Sequence, residues 1–211
     1  MRQWPPAGET PPPAAIDDPA LRVALARSWG VRARHLQYLP KGMGSYHWVA
    51  EATAGERFFV TVDDLDRKPW LGTDRDGTFA GLNTSYETAS MLHRDAGHAF
   101  VVAPLPGRSG GVLQRLTSRY CLSVFPYIEG QAGLWGEAFT PEKSVELAWL
   151  LAELHRSTPV VASRALRRGL ALPGRVQLEA ALDDLDPRWA GGPYSEVARQ
   201  HLAGHAGTVR E

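Results

Sequence analysis

The chain has 211 residues, 44% of them hydrophobic, which is enough for one sizeable domain or two small lobes with an apolar core. Its 23 basic and 23 acidic side chains balance, so no net charge attracts nucleic acid or an anionic membrane. No stretch approaches the roughly 20 apolar residues of a membrane helix, and no secretory signal core is seen. The single cysteine, Cys121, excludes an internal disulfide and multi-cysteine metal sites. By default, we expect a cytoplasmic protein.

The N-terminal segment, residues 1–16, is rich in proline and poor in large apolar groups. Such a segment buries too little surface to offset its ordering entropy, so we expect a flexible tail. Asp18 followed by Pro19 predicts an N-cap with proline in the first helical position. We expect the helix to end at Gly30.

Short runs of aromatic and β-branched residues alternate with glycine-containing turns up to Pro126. They predict strands at residues 36–39, 46–53, 57–62, 112–116 and 120–125. Between the third and fourth strands, the pattern predicts a polar loop at 63–82 and a helix at 85–94.

After Gly130 the strand patterns stop. The sequence Thr140-Pro141-Glu142 places a cap, a proline and an acid at the start of a helix, which we expect to end near Ser157. The remaining residues predict further helices. The chain is therefore predicted to be α+β: an antiparallel sheet of about five strands with one packed helix, followed by a helical region.

This order of elements and several local motifs resemble the aminoglycoside phosphotransferase family of protein-kinase-like enzymes over residues 31–160. The motifs include the glycine turn at 41–45 (KGMGS), Glu87 in the sequence YETA at 86–89, and the strand and turn at 122–130 (LSVFPYIEG). The resemblance implies a kinase-like N-lobe at 17–128 and a partial, incomplete helical C-lobe at 129–211.

The resemblance also implies a set of nucleotide-binding residues. Small residues in a turn let backbone N–H groups approach phosphates, while the hinge would meet adenine through the carbonyl of Pro126 and the N–H of Ile128. Phe125 would stand at the back of the pocket, and Glu87 would pair the phosphate-binding lysine. The full set is Lys41, Gly42, Gly44, Ser45, Thr61, Glu87, Phe125, Pro126 and Ile128.

Each of these motifs also has a purely structural interpretation. The glycine turn can be an ordinary hairpin turn. Thr84-x-x-Glu87 is also the pattern of a capping box. The segment 122–130 can be a buried edge strand followed by a turn.

The phosphate-binding lysine is the first departure from the family pattern. Thr61 stands at its position in the third strand, and a hydroxyl supplies no positive charge. The chain contains only Lys41, Lys68 and Lys143. Either Lys41 or Lys68 could substitute.

The catalytic loop is the second departure. In the family, an H-G-D-x-x-x-x-N loop orients the acceptor and holds Mg²⁺, and this loop comes after the helix that we predict from Thr140 onward. The single asparagine of the chain, Asn83, comes before that helix. His93-Arg94-Asp95 spells a similar triplet, but we interpret it as a solvated helix end. The sequence therefore predicts no catalytic residue and no metal ligand.

By resemblance, the family transfers the γ-phosphoryl group of ATP, with Mg²⁺, to a small-molecule hydroxyl, for example on an antibiotic. Because the catalytic loop is missing, we expect the chain to be inactive alone. One alternative is a pseudokinase-like module that binds a nucleotide or a partner. Another is one half of a split kinase, completed by a dimer or a complementing chain.

Overall fold

The computed structural model describes residues 11–40, 44–130, 138–167 and 174–210. Within them, five strands form one antiparallel sheet, in the spatial order first, second, third, fifth, fourth. The strands are β1 (Ala33–Leu39), β2 (Ser45–Ala52), β3 (Arg57–Asp64), β4 (Gln114–Arg115) and β5 (Tyr120–Pro126). The predicted α+β class and antiparallel sheet are confirmed. The chain divides into two compact units, Met1–Leu166 and Arg167–Glu211. The predicted boundaries between the tail and the two lobes stay predictions.

Helix α1 (Asp18–Trp29) begins one residue earlier than predicted. Asp17, not Asp18, is the N-cap: its carboxylate accepts a hydrogen bond from the N–H of Ala20 at 2.7 Å. Pro19 is consequently the second helical residue, where it lacks only an N–H that would have no helical partner. Gly30 ends the helix with φ at 75°, as predicted.

The two faces of the sheet differ in polarity, because neighbouring side chains along a strand point to opposite faces. One face packs on α1 and forms the main core, with members Leu21, Leu25, Trp48, Ala50, Val60, Val62, Leu122 and Val124. The other face carries the intervening residues Ser45, His47, Thr61, Asp63, Cys121 and Ser123. Cys121 is fully buried there.

Helix α2 (Arg75–Arg94) packs on this second, more polar face through Leu82 and Tyr86. The prediction of a loop through residue 82 was wrong, because α2 already begins at Arg75. Its N-cap is Asp74, whose carboxylate accepts from the N–H of Gly77 at 2.7 Å. The alternative of a capping box at Thr84 and Glu87 was wrong as well, since both residues lie inside the helix.

Two glycines allow the backbone of the loop before α2 to contact the backbone of the helix directly. A Cβ on Gly81 would lie 2.3 Å from the carbonyl oxygen of Leu71, and one on Gly72 would lie 2.2 Å from the backbone of Gly77 and Thr78. Only glycine fits such an approach. The loop that follows β3 is thereby held against the first turns of α2.

A 3₁₀ turn (Leu65–Arg67) fixes the start of the same loop. The fully buried carboxylate of Asp64 accepts two hydrogen bonds from Arg119, at 2.9 and 2.6 Å. It also caps the turn by accepting from the N–H of Asp66 at 3.1 Å. A bidentate arginine–carboxylate pair is geometrically specific, so the chain leaves β3 in one defined direction.

Two helices follow β5 in the described part of the first unit. Helix α3 (Pro141–Arg156) has Thr140 as its N-cap, as predicted. The Thr140 hydroxyl accepts a hydrogen bond from the N–H of Lys143 at 3.3 Å. Helix α4 (Thr158–Val161) follows directly. The apolar stripe of α3 is exposed: Val145 is 70% and Trp149 58% accessible.

The second unit contains helices α5 (Arg175–Asp183) and α6 (Ser195–Arg210). They are joined by hydrogen bonds from Arg199 to the carbonyl of Leu185, at 2.6 Å, and from Arg210 to the carbonyl of Leu182, at 2.9 Å. Of the helices in the described residues, none has the length and apolar character that crossing a membrane requires.

Candidate functional site

A cavity of about 400 Å³ opens on the polar face of the sheet, a size typical of small-molecule sites. Its lining residues are Ser45, His47, Phe59, Thr61, Tyr86, Val102, Phe125, Pro126 and Ile128. Five of the predicted nucleotide-binding residues are among them: Ser45, Thr61, Phe125, Pro126 and Ile128. A larger open groove of about 720 Å³ runs along α1 and β4 and is lined by none of the predicted residues.

The back wall of the cavity is aromatic. The rings of Tyr86 and Phe125 meet edge to face with centroids 5.5 Å apart, and the phenol of Tyr86 donates to Asp63 Oδ2 at 2.8 Å. Burial, together with the nearby Asp63 charge, raises the pKa of Tyr86, so the phenol is a permanent donor. The buried hydroxyl of Ser123 lies beside that phenol and makes no well-formed hydrogen bond with a described residue.

His47 and Phe59 form another wall of the cavity, stacked with ring centroids 4.9 Å apart. His47 Nδ1 lies 3.2 Å from the Thr61 hydroxyl, its partner across the two strands. Burial lowers the pKa of His47; the Asp63 charge opposes this effect and the Lys68 charge adds to it. Neither ring was predicted, although the period of two along β2 and β3 places both beside predicted positions.

The hinge segment, residues 126–130, follows β5 at the mouth of the cavity. The N–H of Ile128 donates to no described residue, and the side chain is 60% exposed. Arg57 braces the segment: its guanidinium lies 4.3 Å from the ring centroid of Tyr127 and pairs with Glu129. The hinge therefore presents a backbone donor that a ligand could use.

At the other end of the cavity lies the start of β2. Gly44 has φ at 95°, a left-handed conformation that favours glycine. The hydroxyl of Ser45 donates to Asp63 Oδ1 at 2.5 Å and accepts from the ammonium of Lys68 at 3.1 Å. The other predicted residues of this turn, Lys41 and Gly42, lie outside the described residues.

Glu87, the predicted partner of a phosphate-binding lysine, does not line the cavity. Its carboxylate accepts from Asn83 at 2.9 Å and lies 3.7 Å from Arg164. In the described ranges of the chain, no lysine pairs with Glu87. Its predicted role stays a prediction.

Among the residues that the structure describes, no group of three or more His, Cys, Asp or Glu side chains could hold a metal ion. The triplet His93-Arg94-Asp95 ends α2 as predicted, with Arg94 and Asp95 paired at 2.7 Å on the surface.

Comparison with known proteins gives similarity in sequence and in fold. No protein-family model matches the sequence. Protein StrN of Streptomyces griseus is 32% identical over 140 residues, which are 63% of this chain and 42% of StrN. The solved structure of spectinomycin phosphotransferase APH(9)-Ia, in complex with ADP and spectinomycin, superposes with a TM-score of 0.57 and 14% identity, over 92% of this chain and 55% of that protein.

The amicoumacin kinase hAmiN, in complex with AMP-PNP and Ca²⁺, superposes with a TM-score of 0.53 and 12% identity, over 84% of this chain and 56% of hAmiN. These likenesses show a shared fold, and the predicted resemblance to kinase-like aminoglycoside phosphotransferases is confirmed at that level. The chain spans about half the length of the solved structures, and less than half the length of StrN.

Proposed function

We propose that the cavity on the polar face of the sheet binds the adenine nucleotide of a small-molecule phosphotransferase. One observation carries this proposal. Residues assigned to three separate parts of a nucleotide site, the glycine turn (Ser45), the third strand (Thr61) and the hinge (Phe125, Pro126 and Ile128), line a single cavity. A merely structural hairpin turn and buried strand would not need to share one cavity.

The comparisons support the proposal, since two kinases of similar fold were solved with ADP and with AMP-PNP. By analogy, the whole protein would transfer the γ-phosphoryl group of ATP to a hydroxyl of a small molecule, for which an antibiotic is the class suggested by spectinomycin phosphotransferase. The cytoplasm, where ATP is made and used, is the compartment that we propose.

Phosphoryl transfer requires groups that neutralise the phosphates and orient the acceptor. The 211 residues contain no H-G-D-x-x-x-x-N motif, and the described part holds no set of metal ligands. We therefore expect nucleotide binding, and no turnover, from these residues alone. A complementing segment or chain that carries the motif would restore transfer.

A nucleotide- or partner-binding module without catalysis is the second candidate. It is favoured by Thr61, which stands where the family has a lysine and whose hydroxyl instead contacts His47. Adding a chain with the H-G-D motif separates the candidates: a split kinase would gain phosphotransferase activity, whereas a binding module would not.

Thermal unfolding with and without ATP and Mg²⁺ tests nucleotide binding. A ligand at 100 times its Kd adds about 2.7 kcal/mol to the free energy of unfolding. For a chain of this size, the expected rise in Tm is roughly 5–10 °C. A cooperative transition whose Tm does not change with ATP would contradict the proposal.

The hinge provides a matched pair of variants for that experiment. Ile128→Pro removes the backbone N–H proposed to meet adenine, and this N–H is unused by the described residues. Ile128→Ala keeps the N–H and trims an exposed side chain. We expect the proline variant to lose the ATP-induced shift and the alanine variant to keep it.

A further inference from the structure

The positions that would carry the phosphate-binding ion pair in the family do not form one here. Thr61 is neutral, and its hydroxyl contacts His47 Nδ1 at 3.2 Å. Glu87 is engaged by Asn83 and Arg164. If the cavity binds phosphates, the positive charge must come from a residue at another position.

Lys68 brings a cation next to Ser45, at the end of the cavity where β2 begins. Its ammonium lies 3.1 Å from the hydroxyl of Ser45, which lines the cavity. A Cβ on Gly44 would lie 3.8 Å from the same Nζ. The Lys68 side chain is only 10% exposed, so the charge is held at the glycine turn rather than moving freely in water.

Asp63 holds this ammonium, with Oδ1 at 3.0 Å from Lys68 Nζ. Its side chain is 1% exposed, and both of its oxygens are used: Oδ1 also accepts from Ser45, and Oδ2 accepts from Tyr86. A buried carboxylate is retained only when paired and hydrogen-bonded. Its contacts therefore fix the position of Lys68 as well as its own.

The backbone that carries the pair is equally fixed. Asp63 is the penultimate residue of β3, and Lys68 follows the 3₁₀ turn that Asp64 and Arg119 lock. The loop then crosses α2 at the close approach between Leu71 and Gly81. A preorganised charge binds phosphate more effectively than one that must be ordered by the ligand.

We propose that Lys68 is the phosphate-binding cation of the nucleotide site and that Asp63 is its positioning residue. The two would replace the family's lysine and glutamate, whose positions Thr61 and Glu87 occupy in this chain. Two N–H donors of Lys68 are used by described residues, on Asp63 and Ser45. The third can donate to a phosphate oxygen. This inference rests on the proposed nucleotide function and specifies how its phosphate end works.

Adenosine and ADP, titrated calorimetrically without divalent metal, separate the two ends of the site. The wild-type chain should bind ADP more tightly than adenosine, because only ADP reaches Lys68. Lys68→Met keeps the stem and removes the charge. A charge-assisted hydrogen bond is worth roughly 1.5–3 kcal/mol, so ADP affinity should fall about 10- to 100-fold, while adenosine affinity stays unchanged.

Control variants separate this role from a general loss of charge or of structure. Lys68→Arg keeps the charge and should keep the preference for ADP. Lys143→Met, which removes an exposed charge on α3, should leave both affinities unchanged. If Glu87→Gln abolished the ADP preference while Lys68→Met did not, the inference would be overturned in favour of a cation positioned by Glu87.

Asp63→Asn tests the positioning role, since it should reduce the ADP preference without changing adenosine binding. That variant leaves a buried ammonium without its carboxylate, so the double variant Asp63→Asn/Lys68→Met, neutral at both positions, is measured beside it. The double variant should bind ADP no more weakly than Lys68→Met alone. Additive losses would show that Asp63 does not act through Lys68.

The outcomes also distinguish this inference from the function on which it rests. Binding of neither ligand to the folded wild-type chain would overturn both. Binding of adenosine and ADP with an ADP preference that survives Lys68→Met would leave the nucleotide site standing and overturn the assignment of Lys68.

Discussion

The imidazole of His47 shows how one side chain can couple the cavity to pH. Burial lowers its pKa below the ordinary value of 6.5, so the ring is neutral above that pH in both the folded and the unfolded chain. Below pH 6.5 the unfolded chain takes up the proton first, and the folded state loses stability as pH falls towards the lowered pKa. The contact with the Thr61 hydroxyl ties this titration to the cavity wall.

We therefore predict that wild-type stability in urea falls between pH 7 and pH 5 more steeply than that of His47→Gln. The glutamine keeps a hydrogen-bonding group near Thr61 but does not titrate. An NMR titration of the His47 ring checks the cause directly. A folded-state pKa above 6.5 would contradict the prediction.

Side-chain pairings that depend on the path of a loop were the least predictable features at this scale. Lys68 was named as one of two substitutes for the missing lysine, but its pairing with Asp63 depends on the path of the loop after β3. Nothing in the local pattern at residues 63–68 gives that path. Phe125 and Ile128, by contrast, lie in a strand and turn whose pattern is local, and the cavity includes both.

At the scale of elements, the strands, α1 and α3 could be predicted because local signals specify them. Alternating β-branched and aromatic residues indicate the strands, and Thr140 caps α3 as predicted. The start of α2 could not be predicted, since Gly77 and Gly81 weaken its helical pattern. Glycine is needed at position 81 because the Leu71 carbonyl crosses the helix there, which is a tertiary contact.

Two helical glycines make that argument testable, because alanine should act on them in opposite directions. At Gly81 a Cβ would meet the Leu71 carbonyl oxygen at 2.3 Å, whereas at Gly204 in α6 it would meet nothing within 4 Å. We predict that Gly81→Ala lowers the free energy of unfolding by about 1–3 kcal/mol. Gly204→Ala should raise it by about 0.5–1 kcal/mol.

Chemical denaturation of both variants, compared with the wild type, measures these changes. Gly81→Ala should also displace the loop that carries Lys68 and so weaken any ADP preference. A Gly81→Ala variant as stable as the wild type would mean that the loop does not cross the helix at this distance in solution.

At the scale of the whole molecule, the burial of the helices is uneven. Helix α1 places Leu21 and Leu25 in the main core with no exposed surface, whereas α3 has no buried residue. Helical periodicity in a sequence indicates an apolar face, as on α3, but not what covers that face.

Substitutions on α3 test whether that stripe is exposed in solution. We predict that the double variant Val145→Ser/Trp149→Gln changes the free energy of unfolding by less than about 0.5 kcal/mol per site, as surface substitutions do. Val161→Ala, at a 7% exposed position in α4, is the buried control and should lose about 1–3 kcal/mol. Equilibrium unfolding at two protein concentrations provides the measurement.

If the free energy of unfolding instead fell more in the double variant than in the control, and only at the higher concentration, the stripe would be covered by a second copy of the chain. A loss equal at both concentrations would mean that the chain itself covers it, which would contradict the exposed placement of α3.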